Sequence, residues 1–201
     1  MLFRSEAESY LRQSTEGSRR TPNIEPDPRS APFDAALGDV LWLQGKLGEA
    51  EAWYRQSLKE CRLYRWDGQE STALMEGNGR LSEVLVEASR PSEASDLLEP
   101  AVERVRLTFE RPESLGEFLA VVGGARLGLS DLAGAEAALL EAYPLLPMRF
   151  PRSNKHKHLC ASRLVTIYTA RHAAEPGGGY DAKAAEWQAK LDALPAPEVV
   201  K

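Results

Sequence analysis

Little in this sequence is suited to building a sheet or a crosslinked framework. Among its 201 residues Ile, Val and Thr together number 18, against 27 alanines and 27 leucines. β-branched side chains are the usual strand formers and lose χ1 freedom in helices, so this balance predicts an all-α fold. Two cysteines, Cys61 and Cys160, make no disulfide framework and fit a reducing, cytoplasmic setting. No apolar run approaches the roughly 20 residues of a membrane-spanning helix. The opening MLFRSEAESY has no apolar core of the kind a secretory signal carries. A net charge of -5 argues against a general nucleic-acid binder, so neither nucleic acid nor membrane is expected as a partner.

What is present is a repeat. Ala7-Glu8-Ser9-Tyr10-Leu11-Arg12-Gln13-Ser14 returns as Ala50-Glu51-Ala52-Trp53-Tyr54-Arg55-Gln56-Ser57, with weaker copies led by Ala94, Ala135 and Ala184. The alanines recur at intervals of about 40 residues, the mark of stacked helical hairpins and not of a doubly wound sheet. Between them lie apolar segments with helical period, such as Leu37, Val40, Leu41 and then Leu81, Val84, Leu85. Short turns rich in Gly, Ser, Asp and Pro join each pair: Gly45 to Gly48, Ser89 to Ser92, Ser130 to Ala133. Ser114 and Glu117 have capping-box spacing and predict a helix start there. Pro100 lies well inside the alanine-led helix of the second unit and predicts a break between Asp96 and Pro100.

The first complete unit, with Leu37-Gly38, Leu41, Gly45, Ala50, Tyr54 and Ser57, resembles the tetratricopeptide repeat. Gln44 to Glu51 is similar to the longer variety found in kinesin light chains. Leu164 to Tyr168, followed by Ala184 to Leu191, is similar to repeat tails that follow bacterial serine/threonine kinase domains. The resemblance covers about residues 3 to 194. It implies an α-solenoid, a right-handed superhelical array of helix hairpins. The expected organisation is 1–20 as the second helix of an incomplete leading repeat, 21–32 as a Pro-rich connection, 33–194 as four hairpins, and 195–201 as a tail.

Sharper chemistry finds little support. His156 and Cys160 share a helical face as zinc ligands can, but no second cluster completes four ligands and lysines flank the pair. Gly177-Gly178-Gly179 lacks the lysine of a phosphate-binding loop, and Gly123-Gly124-Ala125 misses dinucleotide spacing. His156, His158 and His172 have no acid beside them in sequence and read as exposed helix-end residues. No catalytic residue, metal or cofactor is expected.

Charge distribution is more informative. No Asp or Glu occurs from Ala142 to Ala174, where Arg149, Arg152, Lys155, Lys157, Arg163 and Arg171 give +6. This stretch is expected to steer an acidic protein or peptide, with the first four in a loop where they reach outward. The resemblance also implies a concave groove lined by the first helices of successive units. Its walls would carry Asp39, Trp42, Arg80, Glu83, Leu127, Arg163 and Thr166. The family's carboxylate clamp is absent, since Ala35, Ala36, Asp39 and Gly79 stand at its positions. The expected function is a non-enzymatic protein-interaction module. The alternative is the C-terminal interaction tail of a larger signalling enzyme such as a bacterial serine/threonine kinase.

Overall fold

The computed structural model describes residues 8–13, 31–63 and 72–195. The chain is all-α, a right-handed superhelical array of tetratricopeptide-like hairpins. The first hairpin pairs α1 (Ala31–Leu43) with α2 (Leu47–Leu63). The second pairs α3 (Thr72–Glu87) with α4 (Pro91–Leu98), which continues through a 3₁₀ turn (Glu99–Ala101) into α5 (Val102–Thr108). The third joins α6 (Pro112–Gly128) and α7 (Leu132–Leu145), and the fourth α8 (Pro151–Ala174) and α9 (Tyr180–Asp192). Residues 8–13 are helical and lie against the first hairpin, where Arg12 meets Glu49 at 2.7 Å and Gln44 donates to Glu8 at 2.9 Å.

Three hairpins turn by the same device. Lys46 N–H donates to the Leu41 carbonyl at 2.9 Å and Gly45 N–H to that of Trp42 at 2.9 Å. The same six-to-one and five-to-two pair recurs with Arg90 and Ser89 bonding Leu85 and Val86. It recurs again with Asp131 and Ser130 bonding Arg126 and Leu127. This is the Schellman closure, which satisfies the last carbonyls of a helix and needs one residue in the left-handed region. Gly45 takes it at φ +77 without cost, whereas Ser89 and Ser130 take it at φ +60 and +65. Asp131 also caps α7, its carboxylate accepting from Gly134 N–H at 2.9 Å.

The small positions of the repeat are contact points between helices. A Cβ at Gly38 would stand 2.5 Å from Tyr54 Cε1, and one at Gly123 would stand 2.5 Å from Leu139 Cγ. Ala50, Ala94 and Ala135 are wholly buried. Around them run two apolar clusters, one centred on Leu37, Leu41, Leu85 and Leu98, the other on Leu119, Leu139, Leu164 and Ile167. Each such fully buried side chain contributes about 1.5–3 kcal/mol, so these interhelix layers dominate the stability.

Pro100 interrupts the second unit as its missing amide hydrogen requires: the α ladder stops at Leu98 and gives way to the 3₁₀ turn. The capping-box expectation is corrected. α6 begins at Pro112, whose fixed φ suits a first helical position, and Ser114 is already inside it. Likewise Pro32 sits in the first turn of α1 and not in a connection; residues 21–30 of that connection, like 14–20 before them, lie outside the described residues. Arg126 of α6 pairs with Glu99 at 2.8 Å across units.

Candidate interaction face

The first helices α1, α3 and α6 direct acidic side chains to a common face, and the first turns of α8 lie across it. Arg152 is the centre of this arrangement. Its Nη1 meets Asp39 Oδ1 at 2.8 Å, its Nη2 meets Glu83 Oε2 at 2.6 Å, and its Nε meets Glu117 Oε2 at 3.1 Å. One guanidinium thereby joins carboxylates from three different units, using the fork of donors that distinguishes Arg from Lys. Tyr54 donates to Asp39 Oδ1 at 2.8 Å and completes the surround.

The following helical positions continue the contact. Ser153 donates to Glu117 Oε1 at 2.6 Å. Lys155 Nζ stands 3.1 Å from Glu87 and 3.6 Å from the centre of the Trp42 ring. His156 Nε2 stands 3.0 Å from Glu83 Oε1, with its ring 5.5 Å from that of Trp42. Trp42 is wholly buried and donates Nε1–H to Glu87 at 3.0 Å. Spacings of three and four place Arg152, Lys155, His156 and Leu159 on one helical stripe, and this stripe covers the acidic face.

Burial and pairing set the electrostatics. Burial raises the Glu83 carboxyl, but Arg152, then His156 and Lys155, outweigh it and hold Glu83 below the usual carboxylate range. Burial would lower Arg152, yet Glu83 and Asp39 keep it well above its ordinary value. Burial, with Asp39 beside it, pushes the Tyr54 phenol well up, so it stays a donor. Desolvation pulls Arg163 down. Every strong charge here has a partner, as buried charges require.

The structure therefore separates the candidate residues in a way the sequence did not suggest. Asp39, Trp42, Arg80 and Glu83 do come together, with Arg80 Nε 3.3 Å from Asp39. They are joined there by Arg152 and Lys155 of the basic stretch. The expected outward-reaching loop is corrected: Pro151 starts α8, so Arg152, Lys155 and Lys157 are helical and partly buried. Lys157 donates to the Leu146 carbonyl at 2.8 Å, and Arg163 to that of Ala120 at 3.0 Å while resting over Gly124. Arg171 pairs with Glu136 at 2.7 Å. Arg149 remains exposed, stacked over Phe150. Leu127 packs into the second cluster, and Thr166 is exposed. His156 is wholly buried, which corrects its reading as an exposed helix-end residue. Cys160 is buried in the second apolar cluster, one turn along from His156, and burial pushes its thiol up to about 12.

Beside the Arg152 cluster the face stays open as a cavity of about 220 Å³. Phe109, Phe118, Val121 and Phe150 form its apolar lining, and Arg80, Arg111 and Arg152 stand among its charged walls.

No family model matches this sequence, and no curated protein matches it either. A solved structure does match in shape. The crystal structure of BtubC (BKLC) from P. vanneervenii superposes with a TM-score of 0.62, over 97% of this chain and 77% of that chain, at 16% identity. At that identity the likeness shows the fold alone. It is a tetratricopeptide-like helical repeat fold.

Tyr54, Glu87, Glu117 and Ser153 belong to the cluster but were absent from the sequence-derived candidates, and His156 was weighed there only as a metal ligand. One signal was available: a basic stretch without acids predicts acids facing it elsewhere. Glu87 follows Glu83 by one helical turn, and Glu117 stands on the next unit's first helix.

Proposed function

We propose that this chain is a non-enzymatic protein-interaction module. The reading is supported by one observation above the rest. The repeat array presents an aromatic and charged face, closed at one end by α8 and open at the other as a cavity beside Phe150 and Arg111. Phe150 is 42% exposed and the Arg111 side chain 67%, so both are available to a second protein. Aromatic and arginine side chains in such a setting are the usual anchors of protein contacts. The partner is a protein or peptide, reached with no cofactor. The test is affinity capture on the immobilised chain, followed by titration of each captured protein against the wild type and a Phe150→Ala, Arg111→Ala variant. Saturable binding that weakens at least roughly tenfold in the variant supports the reading. The absence of any saturable partner overturns it.

A further inference from the structure

The acidic face already holds a ligand, supplied by the chain itself. We infer that Asp39, Glu83, Glu87 and Glu117 form a receptor for a basic amphipathic helix, which the first turns of α8 occupy in cis. A partner helix carrying Arg and Lys three residues apart competes for the same place. The inference rests on the interaction-module reading and adds the chemistry of the partner.

Three features carry it. First, recognition is by pattern and not by bulk charge: Arg152 takes three carboxylates, Lys155 takes Glu87 and the Trp42 ring, and Ser153 takes Glu117. Such spacing is how an amphipathic helix is read in a groove, at positions i, i+3 and i+4. Second, the two halves of α8 are held differently. Arg152 to His156 attach by ion pairs and hydrogen bonds to the first two units and α6, whereas Cys160, Ala161, Leu164 and Ile167 are buried in the second apolar cluster. The first half can therefore exchange with a competing basic helix while the second half stays packed, because a competitor restores the same ion pairs, whereas apolar burial in the second cluster would be lost. Third, the fit is incomplete. His156 is wholly buried, yet its Nδ1 has no hydrogen-bond partner, so an occupant with a better-satisfied side chain at that position removes an unpaired polar atom.

The probe is a synthetic peptide of residues 148–163, with Cys160→Ser to prevent dimerisation. It is titrated by fluorescence anisotropy into the full chain and into its Lys155→Glu variant, where the new carboxylate opposes Glu87 and loosens the covering turn. The peptide should bind the variant at least roughly tenfold more tightly than the wild type. A control peptide with alanine in place of Arg152 and Lys155 should bind neither chain. Equal affinity for both chains, or no binding to a variant that keeps its helical circular dichroism, overturns the inference. Should the variant lose that signal, hydrogen exchange on the wild-type chain decides. Amides from Lys155 to Leu159 should exchange at least roughly tenfold faster than those from Leu164 to Tyr168. Exchange of both halves as one unit overturns it. If a captured partner binds saturably but is indifferent to the peptide, the interaction-module reading stands and the helix receptor falls. If nothing is captured while the peptide still binds the variant, the receptor stands alone.

Discussion

Arg152 Nη2 and Glu83 Oε2 stand 2.6 Å apart, although 69 positions separate them in the chain. The Glu83 side chain is 2% exposed and that of Arg152 14%, so the pair is largely shielded from water in the closed fold. Asp39 and Glu117 share the same guanidinium, which ties units one, two and three to the start of unit four.

Removing that guanidinium takes away the counter-charge that three carboxylates share, leaving Asp39 only the Arg80 charge at 3.3 Å. Arg152→Ala should therefore destabilise the fold by about 3–5 kcal/mol, read from urea or thermal unfolding. Arg152→Lys should recover only part of this, since a point charge cannot serve three acceptors in fork geometry. An unchanged midpoint in Arg152→Ala would remove Arg152 from its central role.

Stability should fall on acidification through the same cluster. Glu83 is held below the ordinary carboxylate value of 4.5, so the folded state binds fewer protons than the unfolded state in the window beneath it. Its contribution is complete above about pH 4.5 and is lost as pH falls through the lowered folded value. Unfolding midpoints measured from pH 7 downward should drop in that window, and the drop should be smaller in Glu83→Gln.

Close helix contacts should tolerate no added volume. Ala50 of α2 is wholly buried in the first apolar cluster, so Ala50→Leu should cost about 1–3 kcal/mol in an unfolding titration. Gly38→Ala should also destabilise, because the new Cβ must displace the Tyr54 ring that donates to Asp39.

Two turns carry strain that glycine relieves. Ser89→Gly and Ser130→Gly place a residue without Cβ at φ +60 and +65, the conformation Gly45 already serves in the first hairpin. Each should raise stability by about 0.5–1 kcal/mol, seen as a higher melting midpoint with unchanged circular dichroism. A lower midpoint would mean that the serine side chains support these turns.

The hairpins were legible because their determinants are local. Apolar spacing of three and four, turn residues at Gly45, Ser89 and Ser130, and small residues at Gly38, Ala50 and Gly123 act within one unit or its neighbour. The break at Pro100 was equally legible, since a missing amide hydrogen acts on the preceding turn wherever it occurs. The start of α6 was misjudged for a local reason too: Pro112 at a first helical position outweighed the later Ser114 and Glu117 pair.

The sequence alone thus determined the repeat, its hairpins and two charge populations, a basic stretch from Arg149 to Arg171 and an otherwise acidic chain. Only the tertiary structure decided that these populations meet within one chain. Whether Arg152 reaches Asp39, 113 positions earlier, depends on how far the superhelix curves across three units. That curvature is a sum of small rotations between hairpins, and helical periodicity carries no record of it. A basic stretch read along the chain looks free to receive a partner. Folded, its Arg152 and Lys155 neutralise acids of the earlier units, because buried charges must be paired and these were the charges the array brought within reach.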